Sequence, residues 1–249
     1  IKNWTLEDIK CFHETFYQPK NAISVVTGDV KAEEVFEQTK ARFAKIKNTK
    51  EIPLVHQVEP KQDGAKRLTV YKESEVEMLA ITYHIPNFQH KDQPALSAIS
   101  EMLSSGKSSR LYQSLVNDKR LVNQVYAYNM ENIDPGLFIF MAVCNPGVKA
   151  EDAEKEILVQ IEKLKTTNVE TAELDKVKIS TKADFIYSLE SSSSVADLFG
   201  SFLARGDLEP LMHYEEHINA LTPQEIQTIA LKYFNETQST TVILRKEND

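Results

Sequence analysis

The chain repeats near its end a stretch that it carries near its start. The first stretch reads Trp4-Thr-Leu-Glu-Asp-Ile-Lys-Cys-Phe-His-Glu-Thr-Phe-Tyr17, and the second reads Leu221-Thr-Pro-Gln-Glu-Ile-Gln-Thr-Ile-Ala-Leu-Lys-Tyr-Phe234. Each has a threonine, an acidic residue three positions later, apolar residues at helical spacing and a final aromatic pair. Self-similarity at a fixed offset is the signature of a repeated structural unit.

Both copies predict the same local structure. Thr5 and Thr222 are expected N-caps, because the acid three residues later completes a capping box. The apolar residues that follow fall on one face of a helix. A polar break comes next, and then β-branched stretches at 22–27 and 240–244 that predict strands. Two such units can resemble each other by chance, but the joint match favours a duplicated domain of which the second copy is complete here.

The remaining elements follow from periodicity and turn residues. They are, in order, a helix over 32–46, a linker over 47–64, strands over 66–72 and 77–84, a helix from Asp92 or Pro94 to before Gly106, a helix capped by Ser108 or Ser109, strands over 123–129 and 136–144, and helices over 150–164, 169–190, 194–205 and 211–220. This order predicts an α+β fold, an antiparallel sheet with helices packed on one face. We expect residues 1–46 to be the C-terminal end of a preceding domain, residues 47–64 to be the linker between the two domains, and residues 65–249 to form the complete second domain.

Composition excludes several classes of function. The net charge is −8, with 29 Lys and Arg against 37 Asp and Glu, and no basic stripe is present, so nucleic acid is not an expected partner. The longest apolar run, Leu137–Cys144, is too short to cross a bilayer. Cys11 and Cys144 cannot form a disulfide framework. We expect a soluble protein without a membrane partner and find no targeting segment, so the compartment stays open.

Several segments resemble the insulinase (pitrilysin) family of zinc peptidases, and most closely its mitochondrial-processing-peptidase-like branch. The resemblance extends over nearly the whole chain, and the order of the segments is more specific than any one of them. The segments that carry it are Ile1–Ile9, Phe16–Val30, Ala98–Tyr112, Thr222–Ile226 and Thr240–Leu244.

The resemblance implies a clamshell of four related domains that encloses an unfolded peptide. In that family the zinc lies in a first-type domain, on an inverted H-x-x-E-H helix whose glutamate activates water. No residue here matches that helix by position, so the zinc would belong to the parent protein upstream of Ile1, and this chain would be inactive alone. Its partners would be the peptide substrate and either a second homologous subunit or the missing N-terminal half. The alternative is a non-catalytic assembly subunit of the same fold.

A literal H-x-x-E-H occurs at His213-Tyr-Glu-Glu-His217. Two histidines four residues apart on a helix can bind one metal ion, and Glu216 would then act as the base, which would make the chain a freestanding zinc peptidase. The motif directly precedes the predicted cap at Thr222, where the family has a connecting helix, and it is very polar. We therefore interpret His213, Glu216 and His217 as a solvated helix face and expect no metal site.

The family also places an arginine and, seven residues later, a tyrosine that hold the substrate backbone. The matching positions here are Val116 and Asn123, which have neither charge nor phenol. Either a partner supplies the pair to a zinc-bearing parent, or the parent is not catalytic. The candidate substrate-binding residues are those in and beside this segment: Ser108, Ser109, Arg110, Asn123 and Tyr126.

Overall fold

The computed structural model describes residues 3–54 and 58–246, so residues 55–57 of the predicted linker lie outside it. The helices are α1 (Leu6–Phe16), α2 (Ala32–Phe43), α3 (Gln93–Ser104), α4 (Ala150–Thr166), α5 (Thr171–Ser188), α6 (Ser192–Arg205), α7 (Glu209–Met212), α8 (Tyr214–Ala220) and α9 (Pro223–Tyr233). The strands are β1 (Lys66–Tyr71), β2 (Met78–Ile85), β3 (Val122–Asn129), β4 (Gly136–Cys144) and β5 (Ser239–Arg245). Short 3-10 turns occupy Pro19–Asn21 and Glu236–Gln238, and a π-helix occupies Tyr112–Asp118.

The chain divides into two compact units. The first contains residues 1–60 and 185–208, and the second contains residues 61–184 and 209–249. Residues 185–208 fall in the second domain by sequence, whereas they are part of the first compact unit. Compactness does not test membership in a copy of the repeat, so the predicted domain borders stay a prediction.

The second unit is built on a five-stranded sheet in the order β1-β5-β2-β4-β3. The pairs β5–β2, β2–β4 and β4–β3 are antiparallel, while β1 pairs with β5 in parallel. The predicted α+β class is therefore confirmed, with one parallel pair at the edge of an otherwise antiparallel sheet.

One face of this sheet carries the core. Along β2 the buried residues alternate with partly exposed ones, as expected for a strand that is covered on one side. Helices α3, α4 and α9 pack against the sheet on the buried side. At its centre is an aromatic cluster with ring centroids 5.0 to 6.1 Å apart, made of Tyr83, Phe138, Phe140 and Phe234. Burying each such side chain contributes about 1.5–3 kcal/mol of stability.

Helix α9 forms as its sequence predicts. Thr222 and Glu225 make both bonds of the capping box, with Thr222 Oγ1 accepting from Glu225 N at 3.2 Å. Its other end is anchored to the start of α3, because the buried Asp92 accepts hydrogen bonds from Lys232 Nζ (2.5 Å) and Tyr233 Oη (2.7 Å). The helix is therefore held at both ends.

In the first unit, α1 has the same capping box between Thr5 and Asp8, yet none of its residues is buried. The buried Gln18 side chain stabilises part of this unit. Its amide donates to Lys50 O (2.8 Å) and its oxygen accepts from Thr49 N and Lys50 N. This side chain closes the loop that follows α2.

The predicted strand over 22–27 is wrong for this structure. The segment forms no ladder with any residue that the structure describes. A strand exists only when a neighbouring strand takes up its backbone groups. The segment contacts α6 instead, where Thr27 Oγ1 donates to Ser192 O (2.5 Å).

Two predicted helices also differ. The helix expected over 211–220 is interrupted at His213, which separates α7 from α8. The helix expected to be capped by Ser108 or Ser109 is mostly the π-helix over Tyr112–Asp118. Ser109 Oγ donates to Gly106 O (2.8 Å) instead of accepting from a helix N–H.

Candidate functional site

The H-x-x-E-H stretch does not have the geometry of a metal site. Both ring nitrogens of His213 face carboxylates: Nδ1 lies 3.2 Å from Glu216 Oε2 and Nε2 lies 3.1 Å from Glu209 Oε2. The rings of His213 and His217 have centroids 6.0 Å apart. Among residues 3–54 and 58–246, no group of three or more His, Cys, Asp or Glu side chains is arranged to hold a metal ion. These residues do not fit zinc.

Ser108, Ser109 and Arg110 are engaged within the fold. Ser108 Oγ contacts Lys176 Nζ, and the Arg110 guanidinium makes two bonds to the Glu173 carboxylate, at 2.7 and 2.5 Å. Bidentate pairs of this kind fix the arginine fork firmly. The three residues join the α3–π-helix connection to α5.

Next to them lies a cavity of about 260 Å³, into which Ser108 and Ser109 both face. Glu101, Glu173 and Lys176 also line it. Neither Asn123 nor Tyr126 belongs to this lining, so the five sequence candidates do not form one site. They separate into an upstream group held by bonds within the fold and two residues on β3.

A buried acid, which was not among the candidates predicted from the sequence, holds the π-helix in place. Glu156 on α4 contacts Ser114 Oγ and Lys119 Nζ, and it accepts from Gln160 Nε2 at 2.7 Å. Burial acts to raise the pKa of Glu156, but Lys119, Ser114 and Gln160 together hold it below its usual range. The signal in the sequence was an acid on the same α4 face as Ile157, where amphipathic spacing predicts apolar residues.

Val116 also lies in this π-helix and packs against the core, so it is a structural residue. The turn that follows is strained, because Arg120 has a φ of 51°, a conformation that side chains with a Cβ rarely adopt. Asn145 holds this turn by donating from Nδ2 to Arg120 O (2.7 Å) and from its backbone N to Leu121 O (2.9 Å). The chain then enters β3 in a fixed orientation.

Asn123 sits in a β-bulge. The register of β3 against β4 shifts between Val122 and Gln124, which leaves Asn123 without a partner in the ladder. Bulges re-aim side chains and are frequent beside functional sites. The exposed Asn123 amide makes no hydrogen bond to any residue that the structure describes. Its side chain is therefore available to a ligand.

Beyond the bulge, β3 presents aromatic side chains on the sheet face opposite to α3, α4 and α9. Tyr126 and Tyr128 are exposed there, and Met141 of β4, which pairs with Tyr126, is exposed beside them. We call Tyr126, Tyr128 and Met141 the outer-face patch. Tyrosine offers a large contact area at low cost in conformational entropy, and methionine adapts its shape, so both are suited to binding variable partners.

The patch lies at a sheet edge that is partly covered. Met130 N donates to Leu137 O, and in this register the backbone groups of Ala127 point to the free side of β3. Ser100 Oγ and Ser104 Oγ both donate to Ala127 O, at 2.7 and 2.9 Å. Two serines of α3 thus occupy the middle of the edge, which favours contact through side chains over the addition of a long strand.

No helix among the described residues is both long and apolar enough to cross a membrane.

Comparison with known proteins gives consistent matches. The family model described as the peptidase M16 inactive domain matches residues 3–181. Zinc protease PqqE of Helicobacter pylori is 48% identical over 248 residues, which are 98% of this chain and 56% of that protein. A crystal structure of a protease from Helicobacter pylori superposes with a TM-score of 0.95 at 48% identity, over 98% of this chain and 60% of that one.

A more distant crystal structure has the same fold. The peptidase M16 inactive domain from Pseudomonas fluorescens superposes with a TM-score of 0.82 at 19% identity, over 100% of this chain and 59% of that one. The chain spans about half the length of the curated relatives that it matches, 56% and 53% for two of them.

Proposed function

The chain belongs to the family of the peptidase M16 inactive domain, and we propose that it is the C-terminal part of a zinc-dependent endopeptidase that encloses unfolded peptides. In this proposal the zinc and the water-activating glutamate are supplied upstream of Ile1. This chain supplies chamber wall and substrate positioning. The zinc protease name of the 48% identical Helicobacter pylori protein supports the reaction, and that protein is nearly twice as long as the region matched here.

The observation that carries the positioning role is the start of β3. There the strained turn at Arg120 and the bulge at Asn123 leave a free amide beside the exposed outer-face patch. An amide can bind the backbone of an extended peptide, and the aromatic and thioether side chains of the patch can contact peptide side chains of many kinds. We therefore propose Asn123 and Tyr126 as substrate-binding residues, while Ser108, Ser109 and Arg110 hold the adjoining loop.

Residues 1–46 are proposed to be the end of the preceding, zinc-type domain. Support comes from the apolar face of α1, where Ile9 and Phe12 are exposed although their spacing is that of a core-facing helix. Residues upstream of Ile1 would cover this face and would pair with the segment 22–27.

The test compares the natural chain, including the residues that the proposal places ahead of Ile1, with residues 1–249 alone. We expect the longer protein to cleave an unfolded fluorogenic peptide, to lose this activity with a chelator and to regain it with zinc. Residues 1–249 alone should not cleave the peptide. In the longer protein, Asn123→Ala and Tyr126→Ala should each raise KM about 5- to 30-fold, as expected for the loss of one interface contact.

Tyr71→Ala is the matched control, because Tyr71 is an exposed tyrosine on the opposite edge strand, and KM should not change. Zinc-dependent cleavage by residues 1–249 alone would contradict the division of roles. A longer protein that neither holds zinc nor cleaves peptides would instead support the non-catalytic assembly subunit.

A further inference from the structure

A second cavity, of about 450 Å³, lies on the helix-covered side of the sheet in the second unit. It is formed by one face of α4 and by the residues that follow α9. Leu158 and Val159 of α4 form an apolar wall and are both exposed. Phe234 and Tyr83 line it from the side of the aromatic cluster. The part of the cavity next to the core is therefore apolar. The cavity lies on the face of the sheet opposite to the outer-face patch.

Tyr83 is the unusual member of this lining. The residue is 1% exposed, and its ring packs against Phe140 and Phe234. Its hydroxyl has no hydrogen-bond partner in the part of the chain that the structure describes. The hydroxyl oxygen is not among the fully buried polar atoms that lack a partner, so it reaches the cavity instead of being enclosed in the core. The hydroxyl is thus positioned for a partner that is not part of the described chain.

Four glutamates line the cavity that this hydroxyl reaches. Three of the four glutamates that line the cavity are in ion pairs: Glu151 with Arg245, Glu154 with Arg67 and Glu162 with Lys165. The fourth, Glu236, makes no ion pair within residues 3–54 and 58–246 and stays exposed at the rim.

The charges at the hydroxyl favour a cation. Burial, followed by the charges of Glu236 and Glu154, raises the pKa of Tyr83 to about 12. The nearby charges that act on the hydroxyl are therefore negative. Lys155 also lines the cavity and makes no ion pair with a described residue, so its ammonium opposes a cationic ligand. Removing the Glu236 charge should therefore weaken binding of a cation, and removing the Lys155 charge should strengthen it.

We propose that this cavity binds an alkylammonium group, of the kind that a lysine side chain carries. The ammonium lies between the Tyr83 hydroxyl and the Glu236 carboxylate, and the methylene stem lies along Leu158 and Val159. A hydrogen bond to an ionised group is among the stronger polar contacts, and the apolar wall adds burial of the stem. This site goes beyond the proposed peptidase role, which uses the opposite face of the sheet.

The experiment measures binding of n-butylammonium to the 249-residue chain by NMR titration, with n-butanol and butyrate as probes of the same length. We expect saturable shifts with n-butylammonium alone. Tyr83→Phe and Glu236→Gln should each weaken binding about tenfold or more, as for loss of a charge-assisted hydrogen bond. Lys155→Gln should tighten binding, because a like charge is removed. Glu170→Gln, an exposed acid that does not line the cavity, should leave it unchanged.

Thermal unfolding of Tyr83→Phe shows whether a loss of binding comes from the missing hydroxyl or from loss of the fold. We expect the variant to be as stable as the parent chain or more stable, since no bond within the fold is lost. A clear loss of stability would mean that the hydroxyl has a partner within the protein, and the proposal would be wrong. Absence of n-butylammonium binding, or tighter binding of butyrate, would also overturn it.

The source of the ammonium is resolved by a second titration. An unstructured peptide with a single lysine is compared with the same peptide carrying norleucine at that position. Tighter binding of the lysine peptide than of n-butylammonium would assign the site to a peptide side chain. Equal affinities would assign it to a free amine.

Discussion

Helices α1 and α9 have matching sequences and opposite environments. Both start with a threonine capping box and place apolar residues on one face. In α9 that face is buried, with Ile226 0% and Ile229 8% exposed, whereas in α1 the matching Ile9 and Phe12 are 51% and 55% exposed. The strand after α9 joins the sheet, and the segment after α1 does not. The cap and the helix are therefore local properties, while the strand and the buried face depend on partners elsewhere.

The largest expected effect is the loss of stability on removing an isoleucine from α9, compared with removing the matching isoleucine from α1. Ile226→Ala empties a fully buried position, so we expect the free energy of unfolding to fall by about 2–5 kcal/mol. Ile9→Ala removes an exposed side chain and should change it by about 0.5 kcal/mol or less. Urea denaturation followed by circular dichroism measures both. Equal losses of unfolding free energy would show that Ile9 is buried in solution and would contradict the contrast between α1 and α9.

The next effect concerns an anchor that α9 has and α1 lacks. Asp92 binds Lys232 and Tyr233, whereas the matching positions at the end of α1 are Thr15, whose hydroxyl donates to Cys11 O, and Phe16, which has no polar side-chain atom. Asp92→Asn should lower the free energy of unfolding at pH 7 by about 1–3 kcal/mol, because a charged acceptor is lost from two partly buried bonds. Lys91→Gln, next to it in sequence and without an ion pair among the described residues, is the control.

Asp92 also predicts a pH dependence. Its burial acts to raise its pKa, but the bonds from Lys232 and Tyr233 prevail and the pKa lies below its usual range. A lowered pKa in the folded state stabilises the protein above the unfolded value of about 4 and loses that contribution as the pH falls through the folded value. The parent chain should therefore lose more stability between pH 5 and 2, as a rough range, than Asp92→Asn does. Parallel curves would contradict the assignment.

The smallest effect tests the cap itself. Thr222→Ala removes the side chain that accepts from Glu225 N, and we expect a loss of about 1 kcal/mol. Thr5→Ala removes the same bond from α1, where little tertiary structure depends on the helix. Hydrogen exchange should show faster exchange in α1 for Thr5→Ala, with the free energy of unfolding of the second unit unchanged. A similar loss in both variants would mean that the two units unfold together.

Most of the second unit could be predicted from the sequence. The strand over 136–144 and the helix start at 150 agree with the structure, because alternation and amphipathic spacing are strong there. The candidate site could be predicted only in part. The position of Asn123 was identified through family resemblance, but the bulge that frees its amide follows from pairing with β4. The unpaired hydroxyl of Tyr83 gave no signal, since a tyrosine on a buried face looks like any core aromatic.

The sequence alone was enough for the caps and the family, because a cap depends on residues about three positions apart and the family on the order of several motifs. The tertiary structure was needed for the failure of 22–27 to become a strand, the π-helix over Tyr112–Asp118, and the break at His213. Each of these depends on whether a distant segment supplies a hydrogen-bond partner or a packing surface. The chain carries two similar helix–strand units, and among the described residues only the second unit adds its strand to a sheet.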